Sequence, residues 1–557
     1  TDAALIEMGA VGVQFAVEWP GDMKHGDFAV NAALAASKTL GKSPKEIAQS
    51  LAASLKDSLG DDISHVEVAG PGFVNITLLA DAVTKELSRS VTLGSEWGRV
   101  LGEPAKTVMI EYSNPNPFKE IHIGHLMSNV IGEALSRILD ASGAAVIRDT
   151  FGGDVGPHVA KALWALQKDG VTDIGNASDI GTAYTKGSNA YEENEEVKSE
   201  IDALNTKIYD VVAAQNNPET LSEEDRALLS LWRRGREVSM EEFARLFSIL
   251  GTKFDYIFYD SDTTEGGMRV VRDGIKTGVF EESEGAVIYR GEKKGVNTLV
   301  FITSRGTPTY ETKDIGLAFL KEERHATDEV IIITAAEQIG HFIVVLAALE
   351  EVAPVLAKKM THVPHGFLRL TTGKMSSRKG NIITASELLG EITASAAQKN
   401  ADPLVAQAVA IAAIKYMILR QAPGGDIIFD PEKSLALDGD SGPYLQYSLV
   451  RAKSLLAKSI EAAQENPAGN DAPEMPYELS RLVIRYPEIV KRAQALRAPH
   501  IVAQYLTQLA GSWNSFYAQE KIIGGEFETH KLSLVQAFAT TMENGLDVLG
   551  IPVPERM

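Results

Sequence analysis

The sequence predicts an α/β protein: a Rossmann-like, doubly wound parallel-sheet core, preceded by a small α+β domain and followed by an all-α helical bundle. Three observations carry this. Between about residues 96 and 430, short apolar strands alternate with amphipathic helices, the pattern of a parallel sheet that takes its ligand at the strand C-termini. Residues 1–95 mix helical stretches with a strand pair, and residues 431–557 hold a helical period almost throughout. At 557 residues the chain is also too long for a single core.

In the first domain, 31–42 and 43–59 read as helices, and 65–68 and 73–78 as strands bridged by Ala69-Gly70-Pro71-Gly72. In the core, Val108, Met109 and Ile110 form a strand. Leu126, Val130, Ile131, Leu135, Ile138 and Leu139 then recur at three- and four-residue spacing, which predicts a helix opening near His122. A polar stretch containing Glu192, Glu193, Glu195 and Glu196 marks an insertion around 171–300. Farther on, 310–320 reads as a helix and 330–333 as a strand. The bundle is broken by a Pro/Gly/Asn loop at 466–476, and no repeat of fixed period is present.

Composition narrows the function. The chain has no cysteine, which excludes disulfides and argues against a structural metal site; no metal ligand set is expected. No apolar run reaches membrane-spanning length and no charged-then-apolar leader opens the sequence, so a cytoplasmic protein without a membrane partner is expected. A net charge of −21 disfavours broad phosphate binding, but local clusters override a mean. Arg481, Arg485, Lys491, Arg492 and Arg497 share one helical stretch, and Lys374, Arg378 and Lys379 crowd one loop.

The most informative pattern is His122-Ile123-Gly124-His125 paired with Lys374-Met375-Ser376-Ser377-Arg378-Lys379-Gly380. The first stands at a strand-to-helix junction, where free backbone N–H groups and the helix dipole favour phosphate and the imidazoles add donors. Gly124 leaves room for a nucleotide ring. The second is a Gly-bounded loop whose lysines can close on the outer phosphates of ATP. Phosphoryl chemistry needs little beyond such positioning and charge.

In this order the two motifs resemble those of class I aminoacyl-tRNA synthetases. The rest of the chain resembles the arginyl-tRNA synthetase family in particular. The resemblance rests on His25-Gly26-Asp27-Phe28-Ala29 with Ala69-Gly70-Pro71-Gly72-Phe73-Val74-Asn75, on Glu111-Tyr112-Ser113-Asn114-Pro115-Asn116, on Asp438-Gly439-Asp440-Ser441-Gly442-Pro443-Tyr444, and on the terminal Ile551-Pro552-Val553-Pro554-Glu555-Arg556-Met557. It implies a class I synthetase core that joins L-arginine to tRNA(Arg) through an arginyl-adenylate, using ATP with Mg2+ carried on it. It also implies an N-terminal domain (1–95) that touches the D-loop corner of the tRNA, a catalytic domain (96–430) and an anticodon-binding bundle (431–557). A monomer is expected.

The resemblance also implies site residues. His122, His125, Lys374 and Lys379 stabilise the developing charge. Ser377 stands where the family carries lysine, with Lys379 or Lys119 as the substitute. Gly124, Met375, Ser376, Ser377 and His341 fall to ATP. Glu111, Ser113, Asn114, Asn116, Tyr310, Asp314 and Gln338 fall to arginine. Arg485, Arg492, Arg497, Trp513 and Tyr517 fall to tRNA. Independently of the resemblance, Tyr310 and Asp314 lie four apart on a predicted helix and so share a face, and a guanidinium, with five donors in a plane, calls for carboxylates arranged to accept them. Two other classes share parts of the pattern. A small-molecule nucleotidyltransferase lacks the flanking domains, and a silent tRNA-binding paralogue loses the histidines and lysines.

Overall fold

The structure, a computed structural model, describes residues 1–102, 106–371, 383–462 and 472–557. Lys374, Met375, Ser376, Ser377, Arg378 and Lys379 lie outside the described residues, and so do the expectations placed on them. Two compact units emerge, one of residues 1–99, 447–489 and 505–545, the other of 100–446, 490–504 and 546–557. Among the described residues no helix is long and apolar enough to cross a membrane.

The first unit contains a four-stranded antiparallel sheet in the order Val17–Glu18, Phe28–Val30, Phe73–Leu78, Ile63–Ala69. Helices Ala32–Leu40 and Pro44–Ser58 contribute Ala33, Ala36, Leu51 and Leu55 to the core that also buries Val30 and Val74 of the sheet. The second helix starts where a capping box predicts a start: the Ser43 hydroxyl accepts from the Glu46 N–H while the Glu46 carboxylate accepts from the Ser43 N–H. Asp27, from the His25-Gly26-Asp27 run, is buried. It accepts from the Leu78 N–H at 2.7 Å and pairs with Arg481, which ties the sheet to the helical part of the same unit.

Two residues expected at a nucleic-acid surface are buried here. Trp513 has no exposed surface and stacks on Phe538 with centroids 4.8 Å apart. Arg485 is buried with its guanidinium 5.6 Å from the Trp19 ring. The helical period puts each on a defined stripe, but period alone does not tell an inward stripe from an outward one. Both are packing residues. Tyr517 is partly exposed under the Arg451 guanidinium, Arg492 is exposed, and Arg497 is paired with Glu329.

The second unit is built on a five-stranded parallel sheet. Its strands are β1 (Thr107–Glu111), β2 (Ala145–Gly152), β3 (Tyr256–Tyr259), β4 (Glu329–Ala335) and β5 (Met360–His365), in the order β5-β4-β1-β2-β3. The order reverses between β1 and β4, the switch point at which such sheets open a crevice. Helix α1 (Ile123–Ala141) follows β1, α2 (Tyr310–Arg324) precedes β4, α3 (Ile339–Val352) follows β4, and α4 (Pro403–Leu419) comes after β5. Gly132 lets α1 approach β1's end: a Cβ there would stand 2.2 Å from Cγ of the buried Tyr112.

The insertion is ordered. Helices Ala177–Glu193, Glu195–Ala213 and Glu223–Leu250 pack with Pro157–Lys168 around Leu163, Ile201 and Trp232, and an antiparallel sheet of Glu281–Ser283, Ala286–Tyr289 and Leu299–Ile302 completes it. Phe118 belongs to the same helical core, so the loop leading to His122 is anchored in the insertion.

Lys415 of α4 is buried and unpaired with any acid. Its ammonium donates to the carbonyls of Leu250, where the long insertion helix ends, at 2.6 Å, and of Gly550 in the C-terminal segment at 2.5 Å. Lys415→Met would keep the volume and orphan both carbonyls. It should cost about 2–4 kcal/mol in urea unfolding while leaving ligand affinities unaltered.

Candidate active site

A cavity of about 610 Å3 opens where β1, β2, β4 and β5 end, a size suited to a small ligand pair. Its lining draws together His122, Gly124 and His125, then Glu111, Ser113, Asn114 and Asn116, then Tyr310, Asp314, Gln338 and His341. Residues more than 200 apart in sequence thus share one cleft.

His122 is the N-cap of α1 and the histidines cap it reciprocally. The His122 Nδ1 accepts from the Gly124 N–H at 3.1 Å, and the His125 Nδ1 accepts from the His122 N–H at 3.3 Å. The rings stack with centroids 3.7 Å apart. With Nδ1 accepting in each, the ring proton sits on Nε2, so both are pre-set Nε2–H donors. Burial holds the His125 pKa well below its ordinary value, helped by His122 and Lys119; burial and Lys119 lower His122 likewise. Both rings are neutral at pH 7. Gly124 clears space for the His122 ring itself, since a Cβ would lie 2.9 Å from its Cε1.

The flanks of the lysine loop reach the same place. Phe367 and Leu368 line the cleft, and on the other side the Ile123 N–H donates to the Ile383 carbonyl while the Ala385 N–H donates to the Ile121 carbonyl.

Residues 113–118 connect β1 to α1 through a strained turn. Ser113, Asn114 and Phe118 hold φ of 73°, 50° and 66°, a region that non-glycine residues enter at a cost of about 1–3 kcal/mol each. Compensating bonds hold them there. The Ser113 N–H donates to Ser128 Oγ at 3.0 Å, the Asn114 N–H to Thr150 Oγ1 at 3.2 Å, and the Phe118 N–H to Ser239 Oγ at 3.0 Å. Asn116 Oδ1 accepts from the Gly153 N–H at 2.8 Å.

Beneath the turn lies a buried ionic knot. Glu111 and Asp149 are register partners on β1 and β2, and Lys321 of α2 reaches Glu111 at 2.6 Å and Asp149 at 2.7 Å, all three essentially inaccessible. Burial pushes the Asp149 carboxyl up to about 7, with Lys321 opposing. A second knot, Lys313 to Asp260 at 2.6 Å, is also buried, and burial lifts Asp260 to about 6 against the pull of Lys313.

Several of the expected site residues have partners of their own. Glu111 lines the cleft with each oxygen already engaged once, by Lys321 and by the Asn114 side-chain amide at 2.7 Å, so it also braces the turn. Asn114, whose Oδ1 accepts from the Phe151 N–H, is the other half of that brace. His341, assigned to ATP by sequence, lines the cleft and reaches Asp314 at 2.5 Å and Glu311 at 3.3 Å. Lys119 carries its ammonium 5.0 Å over the Tyr184 ring and lines a neighbouring cavity, not this cleft. Tyr310 stands at the mouth, 59% exposed. Asp154, in the Gly-rich turn after β2, is buried under Ser261 and Arg236, which assigns that turn to packing.

An arginine–tRNA ligase of Porphyromonas gingivalis is 31% identical over 533 residues, covering 89% of this chain and 88% of that protein. The family model for the class I (R) tRNA synthetase catalytic domain matches residues 91–430. The chain belongs to the arginyl-tRNA synthetase family. Models of that family's N-terminal domain and of the DALR anticodon-binding domain match residues 2–78 and 445–557. The Thermus thermophilus arginyl-tRNA synthetase structure superposes with a TM-score of 0.78 at 27% identity, over 100% of this chain and 98% of that one. The Plasmodium falciparum arginyl-tRNA synthetase structure shares the fold, with a TM-score of 0.78 over 100% and 97%, at 19% identity.

Within this arginyl-tRNA synthetase fold, Lys313, Lys321 and Asp260 went unsingled by sequence reasoning. A signal existed: Lys313, Leu317 and Lys321 repeat every four residues on the buried stripe of α2. Replacing Lys321 tests the knot. Lys321→Met leaves two buried carboxylates without a cation and should cost about 3–5 kcal/mol. Their folded pKa values then lie above the unfolded ones, so the folded state binds more protons between the two. The deficit should therefore shrink as pH falls from about 8 towards about 5. Urea unfolding at both ends of that range checks it.

Proposed function

We propose that this cleft activates L-arginine with ATP and hands it to tRNA, the reaction of the class I arginine–tRNA ligases to which the chain is related. The arginine carboxylate attacks the α-phosphorus of ATP. The bond to the pyrophosphate oxygen breaks, and Mg2+ travels on the triphosphate as part of the substrate. The terminal ribose hydroxyl of the tRNA then attacks the acyl carbon and AMP departs. No step requires a covalent enzyme intermediate.

The observation that carries this reading is one cleft holding two neutral Nε2–H donors at a helix N-terminus together with the Asp314 carboxylate of α2. The donors suit oxyanions of the α-phosphate, where charge grows in the transition state and fixed dipoles are most effective. Asp314, with Tyr310 one turn before it, suits the guanidinium. Gln338 at the cleft rim and Asn116 suit the polar end of the amino acid. Lys374 and Lys379 are proposed for the outer phosphates. The sheet module of the first unit and its helices, with Tyr517, are proposed as tRNA contacts, as is Arg492 of the second unit; both residues keep exposed surface.

Two substitutions test the roles, each read by pyrophosphate exchange and by separate titration of ligands. His125→Ala should slow adenylation by about 100-fold with little change in arginine affinity. His125→Gln, which restores an N–H near the Nε2 position, should recover part of the rate. Because both imidazole pKa values are depressed, the neutral form persists from about pH 6.5 to 8 and the rate should show no inflection there from these rings. Asp314→Asn keeps the shape and removes the charge. It should weaken arginine by about 2–5 kcal/mol and spare ATP; equal loss for both ligands would reassign Asp314 to folding.

A further inference from the structure

Glu311 and Asp314 stand one turn apart on α2, with side chains only 15% and 16% exposed. Two carboxylates so close and so dry repel, and the usual outcome is that one takes up a proton and loses its charge. Here His341 from α3 sits between them. Its Nδ1 lies 3.3 Å from Glu311 Oε1 and its Nε2 lies 2.5 Å from Asp314 Oδ2. A carboxylate offers no hydrogen, so a ring with both nitrogens against carboxylate oxygens carries a proton on each.

We propose that His341 is a resident counter-cation that keeps Glu311 and Asp314 ionised together, so that the amino-acid end of the cleft presents one net negative charge to one guanidinium. The inference rests on the reading of Asp314 as the arginine partner. His341 acts through Asp314 and is a positioning residue. It fixes which oxygen of Asp314 is occupied and leaves the other to the ligand.

The surroundings support the arrangement. The two carboxylates outweigh the burial of the ring and push the His341 pKa up to about 10. Burial raises the Asp314 carboxyl, as do Glu111 and Glu311, and His341 is the group opposing them. Glu311 is lowered despite its burial, mainly by its bond to His341. From the other elements, Glu111 is tied to Lys321 together with Asp149, and Asp260 is tied to Lys313. His362, stacked on Phe342, is pushed down by burial to about 4 and stays neutral, and His365 is lowered as well. Among the described residues of the cleft, Glu337 stands exposed at the rim, while the Glu311–His341–Asp314 cluster is a partly buried group that keeps one net negative charge.

The test is the pH dependence of arginine binding by calorimetry with the full chain, from about pH 6 to 8.5. The wild type should bind with a flat affinity and, in buffers of different ionisation heat, take up no proton. His341→Gln keeps an N–H donor but not the charge. It should bind arginine at least about tenfold more weakly near pH 6 and recover towards the wild type by about pH 8.5, as the freed carboxyls ionise. His341→Lys, restoring a cation, should flatten the profile again. ATP affinity and melting temperature serve as controls for folding.

Proton uptake by the wild type, or a His341→Gln profile as flat as the wild type's, would overturn the proposal. If Asp314→Asn weakens arginine while His341→Gln stays flat, only this inference falls. If Asp314→Asn binds arginine normally, the underlying reading falls with it.

Discussion

The site depends on one buried ion cluster, Lys321 with Glu111 and Asp149. Two carboxylates at the ends of adjacent parallel strands would not both remain charged beneath a sheet crevice without a cation among them. Lys321 supplies it from α2, and in doing so joins β1, β2 and the helix that carries the cleft carboxylates. From Glu111 the chain of contacts runs through the Asn114 amide to the backbone of Phe151, and so sets the turn that delivers His122. The strained φ values of that turn are held from three directions: α1 through Ser128, β2 through Thr150 and the insertion through Ser239.

The same logic of pairing charge before a ligand arrives appears at each level of the cleft. The histidines spend one nitrogen each on capping α1 and keep the other as a fixed donor. Asp260 is matched by Lys313, and Asp314 with Glu311 by His341. Little side-chain freedom remains to be lost when substrates enter, which is where preorganised sites gain most of their rate.

Much of this was legible in the sequence because it is local. The hydrophobic period of α1 located the helix start, and with it the placement of His122 and His125. The four-residue spacing of Tyr310 and Asp314 gave their common face. The apolar run Val108, Met109 and Ile110 gave the strand β1. What could not be read was long-range partnership. Nothing near Glu111 announces a lysine 210 positions away. The burial of Trp513 and Arg485 was hidden for a related reason, since a helical period fixes stripes but leaves their orientation to tertiary packing. The partners of His341, which follows β4, come from α2 and were equally out of reach of local pattern.

Helix α2 carries two kinds of residue within a few turns, and that has an evolutionary consequence. Glu311 and Asp314 meet His341, Lys313 between them pairs with Asp260, and Lys321, two turns beyond Asp314 on the same side of the helix, pairs with Glu111 and Asp149. Residues proposed to meet the substrate therefore alternate along one turn of helix with a residue that holds a buried acid. A lineage drifting towards a different amino acid cannot slide, shorten or replace this segment wholesale; it must exchange side chains singly within a frozen frame. Such a segment is expected to diverge slowly even where selection for the substrate relaxes, and grafting it into another scaffold would require carrying its buried acids along with it.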